Sequence, residues 1–179
     1  IIPVKFHSIH CIKNYFISFF IVFSLCYKNG IEFIREKPIN SEKVYEKVKS
    51  YSPDLCVICH FERIIKEPVL SIPKYGFINV HPSMLPNYRG MAPQHWPIIN
   101  GEKEAGITCH YVDEGTDTGD IIVQRIVPLN DDMYVSDLQR VWLKEYTTLV
   151  IEAIEHIKRG DPVIVQSHLG GSNTGSPLL

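Results

Sequence analysis

Apolar and polar positions change rhythm several times along the 179 residues. Tyr15 to Tyr27 is almost uncharged and thirteen residues long. A bilayer span needs about 20 such residues, so this run is too short to cross a membrane and reads as a buried core segment. Lys5 and Lys13 ahead of it imitate a secretory signal, but Tyr27 and Lys28 follow Cys26 without a small-x-small cleavage pattern. Ile31 to Arg35 predicts a short strand after the Asn29-Gly30 turn. Asn40 or Ser41 can cap a helix that carries Val44, Tyr45 and Val48 on one face and ends near Ser52-Pro53. Asp54 to His60 is a continuous apolar run, the pattern of a strand buried on both faces. Ile64 to Leu70 suits one or two helical turns, and Phe77 to His81 a further strand.

From 82 to 105 the periodicity stops. Pro82, Pro86, Pro93, Pro97, Gly90 and Gly101 predict irregular backbone with at most a short helix near Gln94 to Asn100, and long loops in compact domains are usually functional. Gly106 to Val112 and Ile121 to Val127 predict two strands around the loop Asp113 to Asp120. Val135 to Arg159 is the clearest helix, with Leu138, Val141, Trp142, Leu149, Val150, Ala153, Ile154 and Ile157 as its apolar stripe. Ser136 and Gln139 suit a capping box, Lys158 and Arg159 complement the dipole of the last turn, and Gly160 ends it. Alternating strands and helices imply an α/β domain with a mostly parallel sheet. The expected organisation is an atypical hydrophobic segment over residues 1–29, a catalytic domain over 30–168 and a flexible tail over 169–179.

Composition narrows the function classes. Lys and Arg number 18 against 20 Asp and Glu, a net charge of −2, which argues against a dedicated nucleic-acid surface. Five cysteines at ordinary density do not suggest a disulfide framework. Cys56 and Cys59 lie within a predicted strand, where residues three apart face opposite sides, so two buried thiols are expected rather than a redox or zinc pair. His60, His81, His95 and His110 show no metal-ligand spacing, and no metal site is expected. No phosphate-cradling loop or nucleophile elbow is present.

The chemistry concentrates between residues 73 and 120, where glycines and prolines specify the backbone closely. Asn79 and His81 are two apart at a strand end and therefore share a face. In an open sheet, ligands bind beyond the carboxyl ends of parallel strands. There an amide can donate to a developing oxyanion and an imidazole can move a proton. Asp117 lies in a loop of four acids and two glycines, Asp113 to Asp120. It reads either as part of a solvated turn or as a carboxylate that orients His81 and raises its pKa. A calcium loop would need acids at every second position, which this loop lacks.

The ordered motifs Asn79-x-His81, Ser83-x-Leu85-Pro86-x-Tyr88-Arg89-Gly90, Gly106-Ile107-Thr108-x-His110 and Asp117-Thr118-Gly119 resemble the core of the 10-formyltetrahydrofolate-dependent formyltransferases. Looser similarity runs from about Gly30 to Gln166. The resemblance implies a Rossmann-like domain that lacks the family's first strand–helix unit, since only 29 residues precede Gly30. It implies transfer of a formyl group from 10-formyltetrahydrofolate to an amine. Asn79, with His81, would stabilise the oxyanion; His81, its pKa raised by Asp117, would manage the proton to the leaving N10; Asp117 would help to remove the amine proton. Folate contacts would fall on Arg63, Ile64 and Ile65, on Ser83, Met84, Leu85 and Pro86, and on Asp113, Glu114, Gly115 and Thr116. The Tyr88-Arg89-Gly90 and Trp96 pattern resembles the sugar enzymes, so a nucleotide-linked amino sugar is the expected acceptor. Methionyl-tRNA is less favoured by the charge balance. Formyltetrahydrofolate hydrolysis and an inactive truncated member are the other readings. A cytoplasmic, non-membrane protein follows, and a homodimer is compatible with it.

Overall fold

The computed structural model describes residues 7–9, 24–34, 38–59, 61 and 63–166. The predicted tail, His60 and most of the Tyr15 to Tyr27 run lie outside the described residues. The chain forms two compact units, Ile1–Asp54 with Phe61–Lys74, and Leu55–His60 with Tyr75–Leu179. Among the described residues, no helix is long and apolar enough to cross a membrane.

In the first unit, β1 (His7–Ile9) pairs in parallel with β2 (Glu32–Ile34). Residues 24–28, within the connection, are helical. Cys26 is buried there and its carbonyl accepts the Ile31 N–H at 2.8 Å. Helix α1 (Glu42–Tyr51) starts at Ser41, whose hydroxyl accepts from the Val44 N–H at 3.4 Å. It buries Val44 and Val48 and ends where Ser52 turns left-handed at φ +47°. Of the helical turn predicted over Ile64 to Leu70, only a single turn closes, where the Leu70 N–H bonds the Lys66 carbonyl at 3.1 Å, and the segment does not extend into a helix. Asn40 reaches this segment instead, donating to the Ile64 carbonyl at 2.9 Å and accepting from the Lys66 N–H at 2.8 Å. Pro68 also lacks the N–H that a helix would use there.

The second unit is built on a four-stranded sheet in the order β3 (Cys56–Cys59), β4 (Phe77–His81), β5 (Glu104–Tyr111), β6 (Ile121–Pro128). The β3–β4 pair is parallel, while β4–β5 and β5–β6 are antiparallel. The sheet is therefore mixed, not mostly parallel as the alternating pattern suggests. Residues 112–120 join adjacent ends of β5 and β6, which permits only an antiparallel return. Between β4 and β5 the chain has only a 3₁₀ turn at Pro93–His95 and the short α2 (Trp96–Ile99). Strand β3 is also not buried on both faces. Among the described residues it is the outermost strand of this sheet, Val57 is 46% exposed, and Cys59 is exposed while Cys56 is half-buried. The four described cysteines are free thiols, and burial pushes the Cys56 and Cys109 thiols up to about 12.

Helix α3 (Val135–Arg159) covers one face of this sheet. Its Leu138, Trp142, Leu149 and Ala153 pack with Ile78, Val80, Ala105, Ile107, Cys109, Ile122 and Val127. Burying a Leu or Ile side chain contributes about 1.5–3 kcal/mol, so this cluster is the main source of the unit's stability. The predicted box of Ser136 and Gln139 is not formed; the N-cap residue is Tyr134, and only the Asp137 half of a box is present. Asp137 accepts from the Tyr134 N–H at 3.1 Å, and Ser136 already lies inside the helix. Gly160 closes α3 in the left-handed region at φ +71°, as its position predicts.

Candidate active site

Strand geometry sorts the residues of β4 and β5 between two faces. Ile78, Val80, Ala105, Ile107 and Cys109 point into the core below α3. Asn79, His81, Thr108 and His110 therefore share the opposite face. Asn79 stands opposite His110, and His81 opposite Thr108. Between Cys109 and His110 the β5–β6 register shifts, so Ile122 has no residue across from it. Bulges of this kind re-aim side chains beside active sites.

Asp117 reaches this face from the β5–β6 loop. Its Oδ2 lies 3.4 Å from His81 Nδ1 and accepts the Gly90 N–H at 2.9 Å. Its Oδ1 accepts from Asn79 Nδ2 at 3.4 Å and lies 3.5 Å from His110 Nε2. The structure thus brings together Asn79, His81 and Asp117, the three residues that the motifs select. It adds His110, which the motif Gly106-Ile107-Thr108-x-His110 contains but to which the sequence reading gives no role in the transfer. Backbone strain collects here. Tyr88, Ala92 and Asp117 have φ of +56°, +53° and +54°, values that non-glycine residues adopt only when their surroundings hold them.

The ring nitrogens are all engaged. His81 Nε2 lies 2.8 Å from the Tyr88 carbonyl, so it carries a proton and donates. In the neutral ring, Nδ1 then presents a lone pair to the Asp117 carboxylate. Two acceptors facing each other at this distance form a socket for one proton. His110 Nδ1 lies 2.6 Å from the Tyr111 carbonyl, and its Nε2 faces both Asn79 Nδ2 at 3.3 Å and Asp117 Oδ1 at 3.5 Å.

The electrostatics correct one expectation. The pKa of His81 is lowered from its ordinary 6.5, not raised. Burial dominates, because the residue is only 5% exposed and a charged ring would lose its hydration. Asp117 and the Tyr88 carbonyl push the other way without winning, and His110 adds to the lowering. Asp117 is held below its usual range. Burial opposes this, but the His110 hydrogen bond, the His81 charge and the Gly90 N–H outweigh it. At neutral pH the pair is a neutral imidazole beside a carboxylate.

The loop residues singled out by sequence have distinct places. Ser83 and Leu85 are buried, with side chains turned inward. Ser83 donates to the Asn87 carbonyl at 2.7 Å, and Thr108 ties the loop down by donating to the Ser83 carbonyl at 2.7 Å. Met84 packs where a Cβ on Gly106 would lie, 2.1 Å from its Cγ, so Gly106 makes room for this loop. Pro86 follows Leu85, whose carbonyl accepts from Gln124 at 2.8 Å. Asp113 closes its own loop, accepting from the Gly115 N–H at 3.0 Å and the Thr118 hydroxyl at 2.6 Å. Glu114, Gly115 and Thr116 are exposed at its tip. Arg63, Ile64 and Ile65 belong to the first unit, where Arg63 and Ile64 are exposed and Ile65 is buried. Among the described residues, no group of three or more His, Cys, Asp or Glu is arranged to hold a metal ion.

A model of the formyl transferase family matches residues 13–154. The methionyl-tRNA formyltransferase of Clostridioides difficile (strain 630) is 38% identical over 145 residues, which is 80% of this chain and 47% of that protein. The chain spans about half the length, or less, of the curated relatives it matches. Among solved structures, glycinamide ribonucleotide transformylase 1 from Symbiobacterium toebii aligns with a TM-score of 0.70 at 29% identity, over 80% of this chain and 74% of that one. The N-formyltransferase from Helicobacter canadensis, solved with folinic acid and dTDP-3-aminofucose, aligns with a TM-score of 0.63 at 27% identity, over 83% and 52%.

Proposed function

Because the chain belongs to the formyl transferase family, we propose that it transfers a formyl group from 10-formyltetrahydrofolate to a primary amine at the Asn79, His81 and Asp117 cluster. The observation that carries this reading is the convergence of an amide, a buried neutral imidazole and a carboxylate on one face of the sheet. The amine nitrogen attacks the formyl carbon and a tetrahedral oxyanion forms. Asn79 donates to that oxygen. Its present contacts, at 3.3 and 3.4 Å, are long and readily exchanged for a stronger one. The amine loses its proton to the Asp117–His81 pair, whose Nδ1 socket accepts it. The same proton is then returned to N10 as the C–N10 bond breaks, so the products are a formamide and tetrahydrofolate. An oxyanion donor is worth about 2.7–4 kcal/mol, and a positioned proton-transfer group about 100- to 10,000-fold in rate. The backbone of Ser83 to Pro86 and of Asp113 to Thr116 flanks the cluster and suits folate contacts that do not depend on side-chain identity.

Two acceptors are supported by different observations. The identity of 38% to a methionyl-tRNA formyltransferase favours the aminoacyl amine of methionyl-tRNA. The likeness to a structure holding dTDP-3-aminofucose, with a net charge of −2, favours a nucleotide-linked amino sugar. The sequence likeness is the greater, and it makes methionyl-tRNA the first acceptor to test. The test is a transfer assay with 10-formyltetrahydrofolate against methionyl initiator tRNA and a dTDP-amino sugar, following the release of tetrahydrofolate. Formylation of the tRNA supports the first reading. Formylation of the sugar alone favours the second. Folate turnover that yields formate regardless of amine would overturn both.

A further inference from the structure

Gln166 belongs to none of the motifs above, yet it is one of the few buried polar residues, 3% exposed. Its carboxamide is saturated. Nε2 donates to the Asp117 carbonyl at 3.1 Å and to the Gly119 carbonyl at 2.6 Å. Oε1 accepts from Arg89 Nε at 3.2 Å and Nη2 at 2.7 Å. The reverse orientation would set an acceptor against two carbonyls and a donor against a guanidinium, so the partners fix which atom is which. The segment is anchored two residues earlier, where Ile164 and Ile121 exchange both backbone hydrogen bonds, at 2.8 and 2.9 Å.

The two segments that Gln166 joins are those that grip His81. Arg89 lies between Tyr88, whose carbonyl takes the His81 Nε2 proton, and Gly90, whose N–H binds Asp117 Oδ2. Asp117 itself sits left-handed at φ +54° and needs outside support to stay there. Gln166 supplies it by holding the Asp117 carbonyl. Arg89, a cation on the other end of the amide, polarises the group and strengthens its donation.

We infer that Gln166 is a positioning residue, a buried cross-link between the Tyr88–Gly90 segment and the Asp117–Gly119 loop that keeps the Asp117 carboxylate on His81. The inference rests on the proposed formyl-transfer reading for its catalytic meaning, but its geometry can be tested without activity. His81 is titrated through its imidazole carbon-bound proton by NMR in the wild type, Asp117→Asn and Gln166→Met. Asp117→Asn removes the charge that raises the His81 pKa, so the pKa falls further. Gln166→Met moves it in the same direction by a smaller step, and the Gly90 amide proton exchanges faster. In transfer assays its kcat falls by on the order of 10- to 100-fold, the size expected for a displacement near 1 Å, while KM for the folate changes little. A Gln166→Met protein that melts at a lower temperature but titrates like the wild type at His81 would reduce Gln166 to a structural staple and overturn the inference. If Gln166→Met does not melt cooperatively, Gln166→Asn is read by the same titration, since it is one methylene too short to span both partners. A His81 titration shifted by Gln166→Met, with no formyl transfer by the wild type, would keep the positioning role and defeat the functional reading. Intact transfer with an unmoved titration would do the reverse.

Discussion

Replacing Asp117 by Asn tests the proton socket most directly. The substitution keeps size and shape, and an amide oxygen can still accept the Gly90 N–H. It removes the charge opposite His81 Nδ1, 3.4 Å away. That charge has little to pair with in the resting state, because burial keeps His81 neutral. It acts while His81 holds the amine's proton. A unit charge pair at this separation is worth about 5 kcal/mol at an effective dielectric of 20. Every 1.36 kcal/mol is about one decade in rate, so the full effect approaches three and a half decades. Both side chains are well buried, which argues against much solvent screening. The expected result is a kcat lowered by about 1,000-fold or more, with KM for the folate within a few-fold, in steady-state assays of tetrahydrofolate release. A loss of less than tenfold would refute the argument. It would mean that the proton never resides on His81 beside Asp117.

The pH dependence of stability carries its own sign. The folded-state pKa of His81 lies below its ordinary 6.5, so the unfolded chain binds more protons between the two values. Stability from this residue is present above 6.5 and is lost as pH falls through the folded value. Melting temperature should therefore drop on going from about pH 7.5 to 5.5, and His81→Gln should flatten that slope; parallel slopes for the two proteins would contradict it. Gly119→Ala places a Cβ 2.0 Å from the Tyr111 carbonyl oxygen, a backbone atom held by β5, so neither side can yield cheaply. Urea unfolding should show a loss on the order of 1–3 kcal/mol, and a neutral effect would show that the Asp117 loop is looser than its hydrogen bonds imply.

Sequence periodicity carries α3 and β4 well. The apolar stripe from Leu138 to Ile157 marks the helix observed at Val135–Arg159, and Phe77 to His81 is the observed strand. Both signals are local, as are the cap at Ser41 and the left-handed stop at Gly160. The motifs also lead to Asn79, His81 and Asp117. What escapes is nonlocal. The direction of β5 and β6 depends on where the connections return, and the pairing of Asn79 with His110 depends on register across the sheet. Gln166 is 49 residues from Asp117 in the chain, with no local pattern to announce it. The His81 pKa is read in the wrong direction from sequence, because a neighbouring carboxylate is visible there and the depth of burial is not. The exposure of β3 escapes for the same reason, since an apolar run does not say whether it ends a sheet.

The alternation along β4 has a consequence for how this protein can change. Ile78 and Val80 serve the core, while Asn79 and His81 serve the chemistry, and the strand interleaves them one by one. A one-residue slip in the register of β4 against its neighbours would exchange the two sets, sending an amide and an imidazole beneath α3 and two aliphatic chains to the reacting face. Folding and catalysis would fail in the same step. Evolution of this site is therefore confined to point substitutions within the strand and to length changes in the loops around it, where residues 82–103 and 112–120 can vary in reach without disturbing the parity of β4.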